Sequence, residues 1–131
     1  MGRDFEYQRL LKVLYDAVLL VSANRYLCNR PKSVSDKIDD FVVVDVPYSI
    51  QSVVYGSGFG TCYTICKITL YVRERDGQLN VLKMDGMVGA LEDIFPVTLD
   101  GFIVSRPRVV LKGSDGYGFH AVVIQCDVRG G

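Results

Sequence analysis

From Thr61 to Arg73 the chain changes character at every step, and few backbone conformations accommodate that. Its even positions (Cys62, Thr64, Cys66, Ile68, Leu70, Val72) are mostly apolar, while its odd positions (Tyr63, Ile65, Lys67, Thr69, Tyr71, Arg73) are larger and more polar. Successive side chains of an extended chain point to opposite faces. The pattern therefore predicts a long strand with one face in a core and the other wet or against a partner. Asp76-Gly77 supplies the turn that follows.

Two stretches carry the three-and-four spacing of a helix instead. In residues 4–23, Tyr7, Leu10, Leu11, Leu14, Ala17, Val18 and Val21 share one face, with Arg9, Lys12 and Asp16 at polar positions. The second half of that stretch is apolar nearly all round, as expected of a helix end covered on several sides by its own sheet or by another subunit. Asn80 to Phe95 places Met84, Met87, Val88, Leu91 and Phe95 on one stripe, with Asn80 as a cap and Pro96 as a stop. Gly86 and Gly89 weaken that helix by about 1 kcal/mol each relative to alanine, and close packing against the sheet would explain them.

Phe41 to Val46 is a β-branched run closed by Pro47, and Ile50 to Tyr55 is a second short strand candidate. Phe102 to Lys112 and Phe119 to Arg129 form a closing hairpin across Gly113-Ser-Asp-Gly-Tyr-Gly118. Asn24 to Asp40, polar and containing Pro31, is expected to be a connecting loop. The expectation is α+β: an antiparallel sheet of four to five strands with both helices on one face, residues 1–131 forming one domain. Leu10, Leu14, Val18, Ile68, Leu70, Met87, Leu91 and Val122 should form its core.

Composition narrows the function classes. Fifteen basic and fifteen acidic residues cancel, whereas a protein that grips phosphate backbones usually shows a basic surplus. Nucleic acid is not expected as a primary partner. Ala17 to Val21 is too short to span a bilayer, and Asp4, Glu6 and Asp16 break up any signal peptide. The expected compartment is a bacterial cytoplasm, with no membrane partner. Cys28, Cys62, Cys66 and Cys126 fit reduced structural thiols there, since no Cys-x-x-Cys occurs and the one histidine completes no common zinc site.

The chain's candidate chemical motifs are mostly incomplete. Gly56-Ser-Gly-Phe-Gly60 runs into a strand rather than opening a helix, so it lacks the amides that cradle phosphate. His120 and Cys126 share a strand face but lie six residues apart, roughly 20 Å when extended, too far for a nucleophile and its base. Cys62 or Cys66 could approach His120 across the sheet. Cys62 and Cys66, about 13 Å apart, cannot ligate one metal together. Asp36, Asp39 and Asp40 lack the alternation and closing glutamate of a calcium loop and read as solvated charge. No catalytic residue, metal ligand or cofactor is assigned. Arg73-Glu74-Arg75-Asp76 alternates in sign, either a guarded sheet edge or an intersubunit salt-bridge site. With Tyr55, Phe59 and Tyr117 near the loops, Arg73 and Arg75 are the candidate protein-interface residues.

The order of elements resembles the tail terminator and tail-completion proteins of long-tailed bacteriophages. Three stretches carry the resemblance: Thr61 to Arg73 with the following Val81 to Phe95, Arg106-Pro-Arg-Val-Val-Leu-Lys112, and Ser114 through Arg129. It covers most of the chain as a pattern, without a diagnostic motif. It implies helices against an antiparallel sheet, and a ring of identical subunits, commonly a hexamer. Such a ring caps the tail tube and meets the head connector, with neither catalysis nor cofactor, and a phage-encoded copy ends in the virion tail. Two other classes share the pattern: a small ligand-binding or enzymatic α+β domain, and an adaptor subunit of another bacterial assembly.

Overall fold

The computed structural model describes residues 3–47, 51–54 and 60–130, with side chains from 7–47 and 63–130. Helix α1 spans Arg3–Ala17 and tightens into a 3-10 turn at Val18–Leu20. Strands β1 (Arg25–Leu27), β2 (Asp40–Asp45), β3 (Gln51–Val54) and β4 (Gly60–Arg73) follow. Helix α2 (Val81–Ile94) precedes β5 (Val97–Leu99), β6 (Phe102–Ser114) and β7 (Phe119–Gly130). The sheet runs β1-β2-β4-β7-β6-β5, and β3 pairs with β4 off that path.

The α+β class stands, but among the described residues the sheet has seven strands rather than four or five, and β1 runs parallel to β2. Both differences come from three-residue strands, too short to carry a period of their own. β1 lies inside the stretch expected to be loop and exists because β2 is beside it. Val42 N–H donates to the Asn24 carbonyl and Cys28 N–H to that of Val44. β5 is folded back on β6 by Asp100-Gly101, both at positive φ (49° and 87°). Positive φ at both central residues is the conformation two-residue hairpins require. The same chemistry recurs at Asp76-Gly77, where Arg75 and Gln78 exchange backbone hydrogen bonds.

The even positions of the long strand keep to the core, although Thr69 on the other face is buried as well. Thr64, Cys66, Ile68, Leu70 and Val72 are all buried. Their face packs with Val42 and Val44 of β2, with Val122, Ile124, Cys126 and Val128 of β7, and with both helices. Leu10, Leu14 and Val18 on one side, and Met84, Met87 and Leu91 on the other, close that core. The expected core residues are all buried. Asn80 caps α2, its side chain accepting from Lys83 N–H, and Phe95 before Pro96 is extended and ends the helix.

Gly86 and Gly89 do not pack against the sheet. A Cβ at either would meet nothing within 4 Å. With Met84, Met87 and Leu91 buried, the helical period puts both glycines on the outward side of α2.

Candidate interaction surface

The sheet's opposite face holds a second, smaller core. Phe41, Val43 and Phe119 are buried there, with Tyr26, Val34, Ile38 and Tyr71 packed against them. Phe41 stacks on Tyr71 at 4.4 Å between centroids and meets Phe119 edge-on at 5.0 Å. Residues 28–39 form the cover. Two arginines fasten it. The Arg73 guanidinium lies 4.6 Å from the Phe119 ring centre and donates to the carbonyls of Ile38 (3.1 and 2.8 Å) and Ser35 (3.0 Å). Asp39 sits 3.7 Å away as its counter-charge. Arg30 reaches in from the loop between Phe41, Tyr71, Tyr117 and Phe119, its guanidinium 5.3–5.8 Å from the four ring centres. It lies 3.5 Å from the Asp115 carboxylate. Burial here pushes the Tyr71 phenol above its ordinary range.

The acidic residues before β2 also act inside the subunit. Asp40 accepts from Ser22 Oγ and sits 2.9 Å from Lys83 Nζ, while its carbonyl accepts from Asn24 Nδ2. One carboxylate thus ties the end of the first helical segment and the start of α2 to the first residue of β2. Asp39 belongs to Arg73, and Asp36 is exposed. No group of three or more metal-ligating side chains occurs among the described residues.

Of the interface residues expected from sequence, Arg73, Arg75 and Tyr117 come to one end of the sheet, where Arg73 is in register with Phe119 and Glu74 N–H donates to the Gly118 carbonyl. Arg73 is engaged as the clasp of the 28–39 cover. Arg75 is exposed in the β4–α2 turn, and Tyr117 is exposed at the tip of the β6–β7 hairpin. Tyr55, Phe59 and the Gly56–Gly60 loop lie outside the described residues, apart from the backbone of Gly60, which opens β4.

The titratable candidates do not converge. His120 Nδ1 lies 3.2 Å from Glu74 Oε2, and Ser114 Oγ donates to Glu74 Oε1 at 3.2 Å. The carboxylate therefore stands between hydroxyl and imidazole, and the serine proton is directed at the acid rather than the base. Cys126 is paired in register with Cys66, and His120 with Val72. This keeps both thiols six strand positions from the imidazole, roughly 20 Å. The Cys66 thiol is pushed well up by its hydrogen bond with Cys126 and by burial. The side chain of Cys62 lies outside the described residues.

Among the described residues, exposed large apolar side chains adjoin one another in two places, while Leu27, Tyr63, Ile103 and Tyr117 are exposed elsewhere. At the junction of the 3-10 turn and α2, Leu20 is 78% exposed and Leu82 86%, flanked by Leu19 and Val81. Along β6, Val109, Val110 and Leu111 are exposed, Leu111 at 67%. β5 covers only Phe102 to Val104 of that strand, so among the described residues no strand pairs with the outer side of Ser105 to Ser114. Register shifts at Ser105/Arg108 and Val109/Leu111 break the alternation that would bury one of three consecutive apolar residues. The signal was legible: three adjacent apolar residues near a turn violate a two-residue period.

No family model and no curated protein matches this chain. Solved structures share its fold. One, known by a serial designation alone, is 14% identical with a TM-score of 0.60, covering 100% of this chain and 96% of its own. Another is a chain from the virion of a native gene transfer agent particle, 12% identical with a TM-score of 0.54, covering 95% of this chain and 90% of its own. At these identities the likeness is one of fold.

Proposed function

We propose that this protein is a structural, non-enzymatic subunit of a phage or prophage tail, assembling as a ring that caps the tail tube and joins it to the head connector. The observation that carries this reading is the fold it shares, along 95% of its length, with a chain of a gene transfer agent virion. Two features support it. The candidate catalytic groups are separated, His120 beside Glu74 and Cys126 beside Cys66. Large apolar side chains stand exposed at Leu20, Leu82 and Leu111, and contiguous apolar exposure marks surfaces that meet other proteins. Its partners are then further copies of itself, tail-tube protein and connector protein. It is made in the bacterial cytoplasm and retained in the virion tail. Among the described residues no helix is long and apolar enough to cross a membrane.

The test is location. An epitope-tagged chain is expressed during particle production, and purified particles are imaged with gold-labelled antibody. Label at the junction of head and tail is expected. Particles without the chain, or with label on the head shell or the distal tip, would overturn the proposal.

A further inference from the structure

These two exposed surfaces are matched in chemistry and different in form. The outward face of α2 presents Val81 and Leu82 with Asp85, Glu92 and Asp93, all exposed. None of these three carboxylates has an ion-pair partner among the described residues, and the one lysine of the helix, Lys83, is held by Asp40. The free stretch of β6 is the opposite in charge. Between Ser105 and Ser114 it carries Arg106, Arg108 and Lys112 and no acid. Asp127 alone faces two of them, 3.4 Å from Arg106 and 3.1 Å from Arg108. The apolar centre of the stretch is Val109 to Leu111.

The form of that edge disfavours an added strand. Pro107 has no N–H to offer a new strand, Arg106 sits at φ 58°, and two bulges interrupt the ladder. These are devices that blunt strand-to-strand addition, and such an edge is covered instead by a helix or a loop. α2 has an outward face free for this. Gly86 and Gly89 lower that face to bare backbone with nothing above it, so another chain can come close.

We propose that the outward face of α2 docks on the free β6 edge of a second copy of this chain. The inference rests on the self-assembling reading above and names its contact surfaces. Because the two surfaces differ, the contact is head-to-tail: each subunit offers its helix to one neighbour and its edge to the other. Such a contact propagates and closes into a ring where the rotation allows.

Charge exchange tests it on the full chain. One variant carries Glu92→Lys and Asp93→Lys, and a second carries Arg106→Glu and Lys112→Glu. All four side chains are exposed, and circular dichroism checks that each variant is folded. Molar mass is followed by light scattering across a concentration series at low salt, where charge is least screened. The parent is expected to rise above monomer mass, and each variant alone to need at least about tenfold more protein to do so. The equimolar mixture is expected to recover the parent's behaviour. In it a basic helix face meets an acidic edge, and an acidic helix face meets a basic edge. Variants that assemble like the parent would overturn the contact and leave self-assembly standing. Weakened variants that fail to recover on mixing would overturn the pairing of these two surfaces. A parent that stays monomeric throughout would overturn both the contact and the ring.

Discussion

Replacing Phe41 by alanine asks whether the small core under residues 28–39 stabilises the fold or merely decorates it. Phe41 is fully buried, stacked on Tyr71 at 4.4 Å and edge-on to Phe119 at 5.0 Å and to Tyr26 at 5.6 Å. Loss of a buried aromatic ring forfeits its transfer free energy, on the order of 1.5–3 kcal/mol. Each well-placed ring pair contributes roughly 0.5–1.5 kcal/mol beyond area. The void is not refilled, because the neighbouring rings belong to three different strands. A cost of about 3–5 kcal/mol follows, in the range of measured Phe→Ala changes. The chain has no tryptophan, so urea unfolding is best followed by far-ultraviolet circular dichroism. Phe41→Leu, which keeps most of the volume and loses the ring pairs, should cost roughly 1–2 kcal/mol. A Phe41→Ala midpoint within about 0.5 kcal/mol of the parent would mean that the loop is a loose flap and that the main core alone holds the sheet.

Further outcomes follow from the same contacts. Gly86→Ala and Gly89→Ala, whose added methyls meet nothing, should each stabilise the isolated subunit by about 0.5–1 kcal/mol in urea titration; destabilisation would place the glycines against a neighbour within the subunit. Arg73→Gln removes the clasp on Ile38 and Ser35, so trypsin should cut after the exposed Lys32 and Lys37 several-fold faster than in the parent. Equal cutting rates would show that the cover does not depend on Arg73. In a Cys62→Ser background at pH 8, Cys28 should react with a thiol reagent before Cys66 and Cys126. Cys66 and Cys126 are buried, and the Cys66 thiol is pushed well above its ordinary range, so the thiolate that reacts is scarce. Mass mapping that finds Cys66 modified first would refute that placement. Tyr71 has a phenol raised by burial, so the native state holds its proton longer than the unfolded chain. Its contribution is complete below about pH 10 and is lost as pH rises above that. Tyr71→Phe should therefore flatten the alkaline decline in stability, and an unchanged slope would contradict the burial.

Elements with a long period were legible in the sequence, and elements held by neighbours were not. β4 announced itself because a one-residue slip would move Ile68 and Leu70 from core to solvent. α1 and α2 showed their stripes for the same reason. β1 and β5, of three residues each, gave no such signal: Arg25 to Leu27 is extended because β2 supplies its hydrogen bonds. The Asp100-Gly101 hairpin turn had a readable signature that the prominence of the longer strands obscured. The cover over Phe41 was illegible for another reason. Residues 28–39 are polar, as loops are, and nothing local says that Arg30 will lie among four rings contributed by β2, β4, β7 and the hairpin tip. Arg73 carried charge of the right kind for an interface, but in the folded subunit that charge holds Ser35, Ile38 and Asp39.

The places where local rules fail therefore fall into two kinds. Some are repaired within the subunit: the arginines under the 28–39 cover find rings and carboxylates, and Asp40 finds Ser22 and Lys83. Others are not. Helix-weakening glycines at 86 and 89, an 86% exposed leucine beside them, and three adjacent apolar residues on an unpaired edge each cost stability or solubility with no return inside one chain. Sequences tolerate such conflicts mainly where function requires them. That these conflicts fall on an acidic helix face and a basic strand edge is what makes a second copy of the chain the natural place for the repair.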